Sequence, residues 1–419
     1  MKRSRKTSPA RLSKEADRFF QVAIKAIGAG CRIEDRFWDA HLETVAMTLL
    51  DAGNDAAIES ALDYSFEKSP DAHDLLAESV ETAAETCFFA VDGQTYQALL
   101  VSIPMIAWSK YPIYAGPLSA SDVTPLETYL REIIFAQDTK SVVNPFMFSI
   151  EHLPPSFSKT RKLLKKLADS AVNEDVLVVK ADKIPTLDMP ADTRMILAAV
   201  LAPLGKPLFR WQEGVAVPAS SKVGKVDVSK KARTKAAATA IAPMDRDQCL
   251  TLWIERAKPI LAKLVPGASI DCGLPDAFFR ICRECDQRVR PHMVSSAVDH
   301  LETALGTTAS QLHAIIAGVG DAQVDEYRVA FALRSSGDVV NGMIWPLVAQ
   351  EDDDTNPGPR EQIEAILKTS QVGKITNLPG VLPPEFCEDC GAPLFYDADA
   401  EAVHPHMPDD SNLTPAHYH

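Results

Sequence analysis

Twice along this chain, two apolar strands joined by a short turn lead into a helix, a further apolar strand and the pentapeptide Leu-Pro-Pro-x-Phe. The first copy passes through the Asp92-Gly93 turn to Trp108 and ends at Leu153-Pro154-Pro155-Ser156-Phe157. The second passes through Ser335-Ser336-Gly337-Asp338 to Trp345 and ends at Leu382-Pro383-Pro384-Glu385-Phe386. Asp-Gly supplies the positive φ angles that a tight hairpin turn needs. A doubled supersecondary order predicts two related α+β units packed about a pseudo-two-fold axis, with the cleft between them as the default ligand site. Identity outside these marks is poor, so the order of elements carries the reading.

The rest of the chain frames these units. Phe19, Phe20, Ala23, Ile24 and Ile27 recur at helical spacing, and Gly28 and Gly30 stop that helix. Further helices are expected over residues 33–52, over 55–67 with Asn54 as cap, and from the Ser69-Pro70-Asp71 break to about 86. Within the first unit, residues 126–136 and 163–171 read as helices, and 142–150 and 176–179 as strands. Residues 195–201 and 207–211 read as a strand pair around Gly205. In the second half, helices are expected over 246–264, 275–305 and 360–369. Strands are expected over 268–272, 327–333, 339–348 and 374–378. The fold class is therefore α+β. Its parts are a basic tail at 1–14, a helical segment at 15–86, a first unit at 87–214, a flexible basic linker at 215–244, a second unit at 245–380 and a metal-binding hairpin with its tail at 381–419.

Charge and length narrow the setting. The 419 residues are 46% hydrophobic and 24% charged, ordinary for a globular protein of two or three folding units. Net charge is −14, yet residues 1–14 and 215–244 are strongly basic, so the body is more acidic than the total. An acidic body repels a phosphate backbone, so any nucleic-acid contact has to run through those two segments. Residues 215–244 hold no large aromatic and read as a solvated linker. The apolar stretches at 96–108 and 195–205 are too short for a bilayer, which needs about 20 residues. No apolar stretch follows Lys2, Arg3, Arg5 and Lys6, so no secretory signal is read there. The expected location is the cytoplasm.

Four of the eight cysteines lie in Cys-x-x-Cys pairs, which in a reducing compartment points to metal or redox chemistry. Cys387-Glu388-Asp389-Cys390-Gly391 has the form of a zinc knuckle. The turn between the cysteines lets both sulfurs reach one ion, and glycine after the second cysteine permits that turn. A return strand then carries His404 and His406, which share a face because strand side chains alternate. Cys387 and Cys390 with His404 or His406 suit tetrahedral zinc, in a closed structural site rather than a catalytic one. The alternative is a reduced pair in a frayed tail. Cys282 and Cys285 fall in a helical pattern and read as small apolar residues on its face.

Other chemistry finds no sequence support. A Walker loop, a Gly-x-Ser-x-Gly elbow and a His-Glu-x-x-His helix are all missing from the sequence, and Gly318-Val319-Gly320 reads as a loop. His41, His73, His152, His292, His300 and His313 have no partners at diagnostic spacing. Arg32-Ile33-Glu34-Asp35-Arg36-Phe37-Trp38 reads as a helix start with internal ion pairs.

Several segments together resemble an uncharacterised domain-of-unknown-function family of betaproteobacteria. They are Arg32 to Trp38, Ala107-Trp108-Ser109-Lys110-Tyr111, Trp345-Pro346-Leu347, and the run from Cys387 to Phe395 followed by Val403-His404. The resemblance covers most of the chain apart from tail and linker. It implies ligands at Cys387, Cys390 and His404, and disfavours His406, where the family is acidic. It implies a bacterial cytoplasmic setting and no particular activity. The functional expectation is a non-enzymatic binding or regulatory protein with a structural zinc site and a protein partner. An enzyme with its site in the cleft, or a nucleic-acid-associated protein using the basic segments, are the alternatives.

Overall fold

The computed structural model describes residues 12–91, 93–109, 112–173, 191–213, 244–321, 323–347, 351 and 357–408. The basic segments are therefore mostly outside it, as is the strand expected at 176–179. Four helices open the chain: α1 (Lys14–Ile27), α2 (Arg32–Ala52), α3 (Asp55–Lys68) and α4 (Pro70–Glu85). Ser13 caps α1 by accepting from the Ala16 N–H at 3.1 Å, so Lys14, expected in the tail, begins a helix. Gly53 ends α2 at φ 68°, a left-handed conformation that costs glycine nothing, and Asn54 caps α3. The four helices bury Phe19, Leu42, Leu50, Ile58, Leu76 and Val80 against one another. The first half of α2 stands clear of this core, leaving Ile33 81% and Phe37 61% exposed.

The first sheet has the order β1-β2-β5-β4-β3, with β6 and β7 also paired to β2. Its strands are β1 (Thr86–Val91), β2 (Gln94–Trp108), β3 (Gly116–Pro117), β4 (Lys140–Phe148), β5 (Ala191–Pro203), β6 (Ser269–Cys272) and β7 (Asp276–Ala277). β2 and β5 run antiparallel in unbroken register from Tyr96↔Pro203 to Trp108↔Ala191. Both are apolar runs rather than alternating patterns because helices cover both faces. On one side α5 (Ala120–Tyr129) and α7 (Arg246–Leu264) bring Leu126, Trp253 and Leu261. On the other, α6 (Phe157–Asn173) and the start of α8 (Phe278–Leu305) bring Leu164, Leu167, Phe278 and Ile281.

The second sheet has the order β10-β9-β8-β11, built from β8 (Leu312–Val319), β9 (Glu326–Leu333), β10 (Val339–Pro346) and β11 (Lys374–Leu382). Only β11 joins in parallel, returning through α9 (Pro359–Thr369). The two units are similar in that each carries a hairpin, a helix and a strand ending in Leu-Pro-Pro-x-Phe. They differ in the strand that separates the hairpin from the returning strand: β5, which follows the copy, in the first, and β8, which precedes it, in the second. One helix belongs to both. The first half of α8 packs Ile281 and Cys285 into the first core, and its second half packs Val294, Val298 and Leu301 into the second.

Four expectations change. Residues 195–201 and 207–211 do not pair. The first lie inside β5, and Arg210–Gln212 is a short 3₁₀ turn beside an isolated Phe135↔Phe209 bridge. The helix expected at 126–136 starts earlier and ends in a π turn, Leu130–Ile134. Gly318 and Val319 are not loop but the end of β8, a central strand hidden in an apolar run without alternation. Residues 246–277, grouped by sequence with the second unit, pack on the first: β6 and β7 pair with β2, and Trp253 sits in its core.

The helical segment is fastened to the first unit by Leu-Pro-Pro-Ser-Phe and the helix it opens. Buried Arg161 in α6 donates to Asp51 at 2.9 Å and to the carbonyls of Ala83 and Thr86. Asp55 accepts from the Ser156 hydroxyl and the Ser158 N–H, both at 2.9 Å. At the same C-terminal end of α4, Glu85 accepts from the Phe279 N–H at 2.9 Å and so caps α8. Burial pushes this carboxyl from 4.5 up to about 7, with the nearby Glu81 and Asp276 raising it and Arg283 opposing them. Between those two pH values the folded chain holds a proton that the unfolded chain releases, so stability falls as pH rises through that window. The difference is on the order of 3 kcal/mol. Glu85→Gln is expected to raise the melting temperature at pH 8 and to give no gain near pH 5, read by thermal unfolding at both.

Candidate metal centre

After β11 the second Leu-Pro-Pro-Glu-Phe leads into a compact turn. The Cys387 N–H donates to the Ala392 carbonyl at 2.8 Å, and the Gly391 N–H donates to the Cys387 carbonyl at 2.9 Å. Gly391 sits at φ 74°, so the turn that folds Cys390 back toward Cys387 depends on a residue without Cβ. β12 (Phe395–Tyr396) and β13 (Ala402–Val403) then pair antiparallel, Phe395↔Val403 and Tyr396↔Ala402. The Asp397 carboxylate shapes the turn between them by accepting from the N–H groups of Asp399 and Glu401.

This hairpin delivers His404 to the cysteines. The Cys387 and Cys390 sulfurs and one ring nitrogen of His404 all lie within 4.8 Å of one another. His404 Nε2 is 3.4 Å from Cys390 Sγ. Zn–S and Zn–N bonds of about 2.3 and 2.0 Å meeting at a tetrahedral angle place sulfur and nitrogen about 3.5 Å apart, so this edge already has the spacing one ion requires. His404 Nδ1 lies 3.0 Å from the Pro405 carbonyl, which places the proton there and leaves Nε2 as the donor. The N–H groups of Cys390 and Asp389, pointing at the Cys387 sulfur, hold that thiol below its ordinary range.

Strand pairing stops at Val403, so alternation does not carry on to His406. The group of three is Cys387, Cys390 and His404. The His406 N–H donates to the Val339 carbonyl at 3.0 Å along the edge of β10, and its ring lies 5.1 Å from that of His404. Both histidines line a cavity of about 550 Å³ beside the β9–β10 turn, shared with Asp338, Val340, Asp397 and Met407. Cys282 and Cys285 do sit in α8, where burial pushes their thiols up, Cys282 to about 12.

Sequence reasoning missed what anchors the hairpin. Arg328, in the middle of β9 and fully buried, donates to the carbonyls of Glu385 and Leu394, pairs with Glu326 at 2.8 Å and lies over the Phe386 ring. The Tyr396 hydroxyl donates to the Pro383 carbonyl. Phe395 lies flat against Gly342, where a Cβ would stand 2.5 Å from its ring. The hairpin thus covers the face of the second sheet that α8 and α9 leave open, with Phe395 and Tyr396 packed among Ile315, Ala330 and Val339. A glycine and an arginine within apolar strands were the available signals, one for close approach and one for a buried polar anchor.

Fold and site together define a mixed α+β protein with a Cys₂His cluster on a hairpin that closes its second sheet. The chain belongs to the family described as "Protein of unknown function (DUF2863)", which matches residues 4–418. No curated protein and no solved structure matches it. Among the described residues, no helix is long and apolar enough to cross a membrane.

Proposed function

We propose that Cys387, Cys390 and His404 hold a structural zinc ion, and that the chain is a non-enzymatic binding or regulatory protein of the bacterial cytoplasm. The observation that carries the metal is the convergence of two sulfurs and one imidazole nitrogen within 4.8 Å. Two thiolates and a neutral imidazole suit zinc over hard cations, which prefer oxygen. When bound, the ion cross-links the Cys turn to the segment after β13, so its binding energy becomes stability of the hairpin. The fourth position falls to water or to His406.

The other perturbed groups support a structural rather than catalytic reading. Glu85 caps α8, Asp192 pairs with Arg194, and His313 meets the Thr376 hydroxyl at 2.8 Å. The exposed Ile33 and Phe37 on α2 favour another protein as partner. Metal analysis of purified protein tests the site. Wild type is expected to carry about one zinc per chain and Cys387→Ser almost none, because two remaining donors bind it weakly. His406→Ala retains zinc if water is the fourth ligand. Wild-type protein without zinc ends the proposal.

A further inference from the structure

The chain's thiols differ in access: Cys31 and Cys390 are exposed, and Cys282 and Cys387 are half-buried. Cys87, Cys249, Cys272 and Cys285 are buried. Burial pushes the Cys87 thiol up to about 12 and that of Cys272 to about 11. These side chains are packing groups with little thiolate to offer. Cys390 is exposed and Cys387 partly so, at the tip of a short hairpin ahead of β12 that the Leu394 N–H closes on the Glu385 carbonyl, with their sulfurs within 4.8 Å. The base of that hairpin is held separately, by Arg328 on the Glu385 and Leu394 carbonyls and by Phe395 on Gly342. The tip can therefore change its bonding while the base stays in place.

We propose that Cys387 and Cys390 are a site of oxidative modification, a dithiol that hydroperoxides convert to a disulfide with expulsion of the metal. The loss of metal rests on the zinc reading above, and the sulfur chemistry does not. One thiolate attacks a peroxide oxygen, the O–O bond breaks, and a sulfenic acid forms as hydroxide leaves. The second sulfur attacks the sulfenic sulfur, the S–S bond forms, and a second hydroxide leaves. Two sulfurs have lost two electrons, the peroxide has gained them, and two protons from solvent turn the hydroxides into water. Zinc, left with one of its three protein donors, dissociates. The cysteines are three apart in a turn that Gly391 closes, so both sulfurs approach without movement of the sheet. The change reaches beyond the tip, because His404 is released from the ion and forms part of the cavity wall with His406.

The test uses the full chain carrying Cys31→Ser, which removes the exposed cysteine just before α2. Zinc is measured first, then hydrogen peroxide is added with a chromophoric chelator present. Released zinc, free thiols and tryptic peptides are followed together. The expected result is about one zinc released for every two thiols lost, a Cys387–Cys390 disulfide in the peptide map, and recovery of both with dithiothreitol and added zinc. In Cys390→Ser no disulfide forms, and Cys387 is trapped by dimedone as the sulfenic acid. Zinc retained under peroxide, sulfinic acid at either position, or earlier oxidation of Cys282 and Cys285 overturns the proposal. Protein that holds no zinc but forms the Cys387–Cys390 disulfide supports the modification site and refutes the metal reading.

Discussion

Arg328→Ala is expected to destabilise the protein by about 2–4 kcal/mol, below the cost of removing one partner from a fully buried ion pair because Glu326 is partly exposed. The guanidinium is fully buried in β9 and serves three groups at once: the Glu326 carboxylate and the carbonyls of Glu385 and Leu394. Its loss leaves the Leu394 carbonyl without this donor, while the Glu385 carbonyl keeps the Leu394 N–H at 3.0 Å, and an unsatisfied part-buried acceptor adds about 1 kcal/mol. Arg328→Met, which keeps most of the volume, is expected to recover only the packing part. Denaturant unfolding gives the size of the effect. Limited proteolysis between β11 and β12 locates it, because the hairpin loosens before the sheet. Equal stability of wild type and Arg328→Ala would show that the hairpin is not held through this side chain.

The second large effect is expected at the join between the units. Arg290, near the middle of α8, binds the Glu351 carboxylate through both terminal nitrogens at 2.8 and 2.9 Å. It also donates to the Pro346 carbonyl at 2.6 Å and lies over the Trp345 ring. Arg290→Ala is expected to lose about 2–4 kcal/mol, less than a fully buried pair because Glu351 stays partly exposed and regains water. Arg290→Lys is expected to recover little, since lysine offers neither the paired donors nor the flat face. Urea unfolding with an unchanged slope identifies the change as one of stability. Within one turn of Arg290, His292 stacks on Trp108 at 4.1 Å, so this part of α8 touches the ends of both hairpins. The two tryptophans that close the repeated hairpins thus converge on one helix, which gives the doubled sequence order a packing role.

Much of this was legible from residues alone, for reasons that can be named. Local chemistry sets caps and turns, so Asn54 before α3, Gly53 after α2, the β1–β2 hairpin with Gly93 at φ 78° and the β9–β10 hairpin fall where the sequence places them. The Cys387/Cys390 site was visible because metal ligation needs donors of fixed type at short spacing. β8 was not visible, because a strand buried on both faces shows no alternation and its glycine resembles a loop. Nor was β5 seen as one strand, since the apolar run from Ala191 was read only from Met195 and Gly205 suggested a hairpin beyond it.

The choice between the two tail histidines shows where each kind of information ends. Residue types and spacing alone determined that two cysteines and a pair of histidines stand near the C-terminus, and that the second Leu-Pro-Pro-x-Phe leads into them. Spacing left the choice of histidine open and the family resemblance favoured His404; the contacts that bring His404 to the sulfurs belong to the tertiary structure. Pairing of β12 with β13 ends at Val403, Pro405 follows, and the edge of β10 takes the His406 N–H, so His404 turns to the sulfurs while His406 turns to the cavity. In the same way, Arg328 and Gly342 are ordinary strand residues until the hairpin folds over them. Their roles arise from contacts between segments more than fifty residues apart, which no local pattern encodes.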